Sequence, residues 1–299
     1  MNGKLNMFEL HLREEEKAEN TINKYLRDIK EFYRWLASDT QKSRGERCEP
    51  VVTKAILLEY KEHLKQSKLK VTTINSKISS LNSYFTYTEN ESLKLKVIKY
   101  QKSLFGNRER ILTKNDFNKL YEAARDDDRL MLLIETIVKT GIRVSELKYI
   151  TRESLDIGKA IANNKGKARV TLIPRKLCKK LKDYCKGFRS GNQKCNDERL
   201  RSPILSGSIF MTRTGTPLDR KQIWQMMKKL ADKAGMPKEK VFPHNLRHLF
   251  AREFYKQTHD IVKLASILGH SSIETTRIYT KETEDECRVE LERLRFVRD

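Results

Sequence analysis

The sequence predicts two domains: an all-α N-terminal bundle, then a mostly α, α+β domain with a small antiparallel sheet. Three observations lead there. Apolar residues recur at helical spacing through most of the first hundred residues. A stretch rich in lysine and arginine then breaks that period. Beyond it, two short β-patterned runs flank a Gly-containing tip in the middle of further helical runs.

The chain has 299 residues, 38% of them hydrophobic, enough to build real cores. Its net charge is +22, from 62 Lys and Arg against 40 Asp and Glu. A globular chain this basic usually faces a polyanion. The cations are spread along the whole sequence, which favours folded domains with basic faces over a tethered arm. No run approaches the ~20 apolar residues that a membrane helix needs. Met1 to Glu16 has no signal-peptide core, so a cytoplasmic protein is expected, nucleoid-associated when bound to DNA. Five cysteines at irregular spacing, with no C-x-x-C, read as reduced thiols. There is no Walker motif, no G-x-G-x-x-G and no carboxylate cluster of metal-site type, so neither a cofactor nor a metal is expected.

Residues 1–100 read as one domain. Phe8 to Glu19 is a short helix carrying Phe8, Leu10 and Leu12. Asn20 or Thr21 can cap a second, with Ile22, Tyr25, Leu26, Ile29, Phe32, Tyr33 and Leu36 on one face and Lys24, Arg27, Lys30 and Arg34 on another. Thr53 starts a third helix and Thr72 a fourth, with Ile74, Ile78, Leu81 and Phe85 inward. The start of that fourth helix is polar and basic, which suits either a phosphate contact or a solvated face. Leu93 to Lys114 then carries seven Lys and Arg against the single acid Glu109 without a helical period. Residues 101–112 are its core, read as a basic linker that lies along DNA.

Residues 113–299 form the second domain. Thr113 and Asp116 have capping-box form ahead of Phe117, Leu120 and Tyr121. Leu130 to Val138 is a buried helix that Gly141 ends. Arg143 follows at once; an arginine there is costly unless paired, either with Glu135 or Glu146 or with an anionic ligand. Ala160–Ala162 and Val170–Pro174 are strands, with Asn163 to Lys167 at the hairpin tip. Lys165 can reach beyond the sheet from there or simply be solvated. A helix over Leu177 to Phe188, a polar loop to Ser202, a short strand at Ile209–Phe210 and a helix from Asp219 or Arg220 to Ala234 complete the middle.

Three pieces close the chain: Pro243 to His248, Leu268–Gly269–His270, and Thr275 to Thr280. His244 and Arg247 are three apart and share a helix face. A cation cluster beside Tyr279 suits holding a phosphodiester while a phenol attacks it. Surface histidines around a core tyrosine are the plainer reading of any one piece.

Taken together, these pieces resemble the tyrosine recombinases, the lambda-integrase and Xer family, over nearly the whole chain. Thr140 to Leu147 looks like the family's first arginine box, and Lys165–Gly166 like its hairpin lysine. His244 to His248 looks like its H-x-x-R box, and Leu268 to His270 and Thr275 to Tyr279 like the last two. Ala18 to Thr21 is similar to a stretch of the core-binding domain. The resemblance implies a short form without an arm-binding domain. It implies a site-specific DNA recombinase working through a 3′-phosphotyrosyl intermediate and a Holliday junction, for integration or excision of a mobile element. An Xer-type dimer resolvase, a type IB topoisomerase and a non-catalytic DNA-binding protein are the alternatives.

The resemblance also implies roles. Tyr279 is the nucleophile. Arg143 and Arg247 hold the non-bridging oxygens, with a fork geometry that suits phosphate. Lys165 protonates the leaving 5′-oxygen, His244 assists proton transfer with Tyr279, and His270 hydrogen-bonds the phosphate. His248 receives no role. The implied partners are double-stranded DNA core sites, three further copies of the chain in a synaptic homo-tetramer, and accessory DNA-bending proteins. The tetramer is expected to be tied by a docking helix at about 286–299, where Cys287, Leu291 and Leu294 fall at helical spacing.

Overall fold

The computed structural model describes residues 2–43, 52–99, 111–164, 167–189, 207–212, 214–270 and 272–279, with 288 and 292. The chain divides into two compact units, Met1–Lys102 and Ser103–Asp299.

In the first unit, α1 (Asn2–Glu14), α2 (Glu19–Ser43), α3 (Lys54–Gln66) and α4 (Val71–Tyr87) form a bundle. Its core includes Phe8, Leu12, Ile22, Ile29, Phe32, Leu57, Tyr60, Ile74 and Ile78. Leu10, expected inside, is exposed; α1 begins earlier than the pattern suggested, and Leu5, Phe8 and Leu12 make its buried stripe instead. Thr53 caps α3 as expected, its hydroxyl accepting from the Ile56 amide at 3.4 Å. Asp28 is buried between α2 and α4, where Lys24 lies 3.0 Å away and Ser80 donates to it at 2.8 Å. That pair of partners makes burial of a carboxylate tolerable. Residues 94–99 are fixed against α4 rather than free. Asn82 both donates to the Leu95 carbonyl and accepts from its amide, and Asn75 does the same for Ile98. The two asparagines thus replace the partner strand that this extended stretch lacks. Of the expected linker, residues 101–110 lie outside the described residues, while Leu112 is buried in the second unit's core.

The second unit runs α5 (Lys114–Ala123), α6 (Asp128–Thr140), a 3-10 turn (Val144–Tyr149), α7 (Arg152–Ile157), β1 (Lys159–Asn164), β2 (Lys167–Leu172), α8 (Arg175–Arg189), α9 (Arg220–Lys233), α10 (Pro243–Thr258), α11 (Ile261–Leu268), α12 (Ile273–Thr276) and a 3-10 turn over Arg277–Tyr279. Its core is built from residues such as Leu133, Ile137, Ile150, Leu177, Ile223, Met227 and Leu246. Thr113 and Asp116 form the capping box that opens α5, and Gly141 ends α6 in the left-handed conformation at φ 62°. Among the described residues no strand forms at Ile209–Phe210; the stretch makes only isolated bridges, Thr151 with Ser208 and Met211 with Pro217.

β1 and β2 pair antiparallel, with Ala162 opposite Arg169 and Ile161 opposite Val170. Their alternation is inverted relative to an ordinary half-buried hairpin. Ile161, Val170 and Leu172 are exposed, while Ala160, Ala162 and Thr171 are buried and Arg169 turns inward with them.

Candidate active site

The site is assembled at the end of α11. Three consecutive carbonyls of that helix end each accept from a different arginine. Ile267 accepts from Arg169 Nη2 at 3.2 Å, Leu268 from Arg247 Nη2 at 2.8 Å, and Gly269 from Arg143 Nη2 at 3.1 Å. The last carbonyls of a helix have no partner within it and carry its negative dipole end, so guanidinium groups are well placed there. Arg247 also donates through Nη1 to the carbonyl of Gly141, the cap of α6. One buried arginine, 2% exposed, therefore ties two helix ends together.

Glu146 supplies the opposing charge. It is fully buried, accepts from Arg143 Nη1 at 2.9 Å and from the Arg143 amide at 3.0 Å, and pairs with Arg169 Nη1. Burial pushes its carboxyl up, but the hydrogen bonds from Arg169 and Arg143 outweigh that and hold it below the ordinary carboxylate range. The sequence left Arg143 with a choice between a carboxylate and a ligand; Glu146, not Glu135, takes one edge of its guanidinium. Glu135 instead pairs with Lys139 and Lys180.

Two glycines are needed here for space as well as conformation. At Gly269, φ is +60° and an added Cβ would stand 2.5 Å from Cδ and Nε of Arg169. At Gly141, it would stand 2.4 Å from the Phe250 ring.

Three histidines and the tyrosine complete the pocket. His244 opens α10, next to Pro243 at its first turn. It is the most open of the three rings. Even so, desolvation of its inner side, with Arg247, Arg220 and Arg143 nearby, lowers its pKa. His270 is held at both nitrogens, Nε2 lying 3.0 Å from Arg247 Nη2 and Nδ1 lying 2.9 Å from Thr276 Oγ1. Desolvation, then Arg247 and Arg143, push it down to about 4. His248 wedges between its neighbours. Its ring meets His244 edge-on at 4.6 Å between centroids and Tyr279 at the same distance. Desolvation, then His244 and Arg247, push it down to about 4. Tyr279 is 4% exposed and packs with Ala251, Leu264 and Leu268. Its ring stacks at 5.8 Å on His270. Burial lowers the Arg247 guanidinium to about 10, still protonated near neutrality. The Tyr279 phenol lies close enough to oppose that shift by charge and hydrogen bonding.

The structure therefore brings Arg143, His244, Arg247, His270 and Tyr279 into one pocket. Lys165 lies outside the described residues, although the strands on either side of it are paired up to Asn164 and Lys167. The sequence reading passed over Glu146 except as a possible partner, and it passed over Arg169 and the contacts of His248. Arg169 had a legible signal. It shares a strand face with Thr171, opposite Ala162, and a cation facing inward needs a counter-charge.

The pocket is cationic, with a phenol against its arginines, and among the described residues no group of His, Cys, Asp and Glu could hold a metal ion. Neither Cys178 nor Cys185 is in a disulfide. No helix among the described residues is long and apolar enough to cross a membrane.

Comparison with known proteins matches a family model to each of the two units. The phage integrase family matches residues 110–286, and the phage integrase N-terminal SAM-like domain matches residues 5–92. Tyrosine recombinase XerC of Thermodesulfovibrio yellowstonii is 29% identical over 271 residues, covering 88% of this chain and 86% of that protein. Tyrosine recombinase XerA of Thermococcus kodakarensis is 27% identical over 301 residues, covering 97% and 94%. Among solved structures, XerH site-specific recombinase bound to its difH substrate in a pre-cleavage complex superposes with a TM-score of 0.66 at 22% identity, covering 90% of this chain and 78% of that one. A lambda integrase dimer bound to a COC′ core site gives 0.66 at 19% identity, covering 93% and 94%. With both halves of the chain matched in order, the protein belongs to the phage integrase family and is a tyrosine recombinase.

Proposed function

We propose that this protein cuts and rejoins double-stranded DNA at specific core sites, with Tyr279 as the nucleophile. The observation that carries the reading is the Tyr279 phenol, held in its own chain's pocket against Arg247 and between His248 and His270. The Tyr279 Oη–phosphorus bond forms as the bond to the 5′-oxygen breaks. The phenol proton passes to His244, kept neutral by its surroundings, and the leaving oxygen takes a proton from Lys165. Arg143 and Arg247 hold the non-bridging oxygens and stabilise the charge that grows on them, a term worth roughly 3 kcal/mol per good donor. His270 hydrogen-bonds the phosphate: a bound anion raises its pKa and lets Nε2, now an acceptor, carry a proton. The 3′-phosphotyrosyl bond keeps the energy of the backbone linkage, so rejoining needs no nucleotide cofactor.

The two domains, 1–100 and 113–299, together hold the DNA, joined by the basic linker at 101–112. The net charge of +22 supports several phosphate contacts and a steep loss of affinity with salt. Recombination proceeds through a Holliday junction in a homo-tetramer, whose docking helix at about 286–299 lies outside the described residues apart from Arg288 and Glu292. Those two, four apart, are both helical and exposed, which supports an amphipathic tail helix. Integration or excision of a mobile element is the proposed role. The near-full-length match to Xer recombinases supports dimer resolution as the second reading.

A nicked suicide substrate carrying the core site should trap the protein covalently on the 3′ end in EDTA. Tyr279→Phe should abolish trapping while binding stays near normal. Trapping by that variant, or a strict need for magnesium, would refute the assignment.

A further inference from the structure

We infer that Arg169 is a positioning residue of the strand-transfer reaction: it neutralises Glu146, so that Arg143 and Arg247 offer their full charge to the scissile phosphate. The inference rests on the reading of those two arginines as the phosphate clamp.

Three arginines converge on the end of α11, and one buried carboxylate lies among them. Arg169 takes one side of Glu146 and Arg143 the other. The three arginines and Glu146 together carry +2, apart from Lys165, which gives up its charge with its proton. An in-line transition state at a phosphodiester approaches a charge of −2, which these four groups match. Without Arg169, Glu146 would draw on Arg143 alone and the pocket would fall to +1, in a site where burial makes each charge count for more than in water.

Arg169 is built for this and not for touching DNA. Its side chain is about 10% exposed and its hydrogen bonds go to Glu146 and the Ile267 carbonyl. Its buried Nε finds no partner, so the side chain sits here at a cost in hydrogen bonding. Gly269 leaves the space that it fills. The strand presents it inward while the apolar Val170 and Leu172 face out, the reverse of what a core strand does.

The test uses the full chain on the suicide substrate, with half-site binding and thermal melting recorded for every variant. Arg169→Gln should slow covalent complex formation about 100-fold. Arg169→Lys, which keeps the charge, should retain most activity. Adding Glu146→Gln to Arg169→Gln returns the pocket to +2 and should recover about tenfold or more. On a substrate with a methylphosphonate at the scissile position, whose transition state carries one negative charge fewer, the loss from Arg169→Gln should shrink. A mere staple between strand and helix predicts the opposite. The double variant would then be no better than Arg169→Gln, and the loss would be equal on both substrates; either result overturns the inference. If Arg169→Gln alone does not fold, the double variant still decides, because two amides of similar shape replace the ion pair. It should cleave within about tenfold of wild type, and a larger loss in a folded double variant counts against the inference. Trapping by Tyr279→Phe would overturn the underlying reading and this inference with it. An inert Tyr279→Phe beside an unrescued double variant would overturn the inference alone.

Discussion

Arg247 Nη2 and His270 Nε2 stand 3.0 Å apart, and that contact decides which nitrogen of the histidine carries its proton. A guanidinium can only donate, so Nε2 accepts and the proton sits on Nδ1, which donates to Thr276. A threonine at the end of α12 thereby satisfies the proton that Arg247 forces onto the other nitrogen of the ring.

Thr276→Val keeps the shape but removes the acceptor. The buried Nδ1–H is then unsatisfied, at a cost of about 1–2 kcal/mol. The alternative tautomer would turn an N–H toward Arg247. Denaturant melts should show the loss, and suicide-substrate cleavage should fall about tenfold. Unchanged cleavage would mean that the tautomer of His270 does not matter to the reaction.

Gly269 and Gly235 both have left-handed backbones, at φ 60° and 61°, but only Gly269 faces a side chain at 2.5 Å. Gly235→Ala should cost about 1 kcal/mol from conformation alone. Gly269→Ala must also displace Arg169, and should cost more and reduce cleavage. Equal melting temperatures for the two variants would contradict the packing account.

The depressed histidines make stability depend on pH. An unfolded histidine titrates near ~6.5, whereas His248 and His270 fold with values of about 4 and His244 is also lowered. Between these values the unfolded chain binds more protons, so stability rises with pH in that window. It is fully present above the unfolded value and is lost as pH falls through the folded one. The melting temperature should therefore drop from pH 7 toward pH 4.5, and His248→Phe should flatten the slope. The same slope in that variant would remove His248 from the account.

The sequence offers two lysines near the hairpin tip, Lys165, which lies outside the described residues, and Lys167, which opens β2; a leaving-group test separates them. A 5′-bridging phosphorothiolate expels a thiolate that needs no proton. Lys165→Ala should be slow on the ordinary phosphodiester and rescued on the sulfur substrate. Lys167→Ala should show no such difference, and rescue of Lys167→Ala instead would move the acid to that position.

Deleting residues 286–299 should spare binding to a single half-site while impairing synapsis and recombination and changing the amount of cleavage. Gel shifts on half and full sites, followed by recombination of two full sites, measure this. Recombination at the wild-type rate would exclude the tail as the link between subunits.

Much of this molecule is local, and so was legible in the chain alone. The stripe of Ile22, Ile29 and Phe32, the box of Thr113 and Asp116, and the stop at Gly141 are set by neighbours within a few residues. The residue types of the pocket were legible too, because phosphate chemistry asks for arginines, histidines and a phenol together. Hydrogen bonding across long sequence separations was not. No spacing shows that Arg169 reaches the carbonyl of Ile267, or that Arg247 joins the cap of α6 to the end of α11. Nor does any pattern place His248 between His244 and Tyr279. The sequence by itself determined most of the helices, the hairpin, the class of chemistry and the charge. Only the tertiary structure decided which arginine meets which carbonyl and that Glu146 is shared. Those choices follow from the burial of charged groups, whose partners are fixed by the whole fold and not by the turn that each residue sits on.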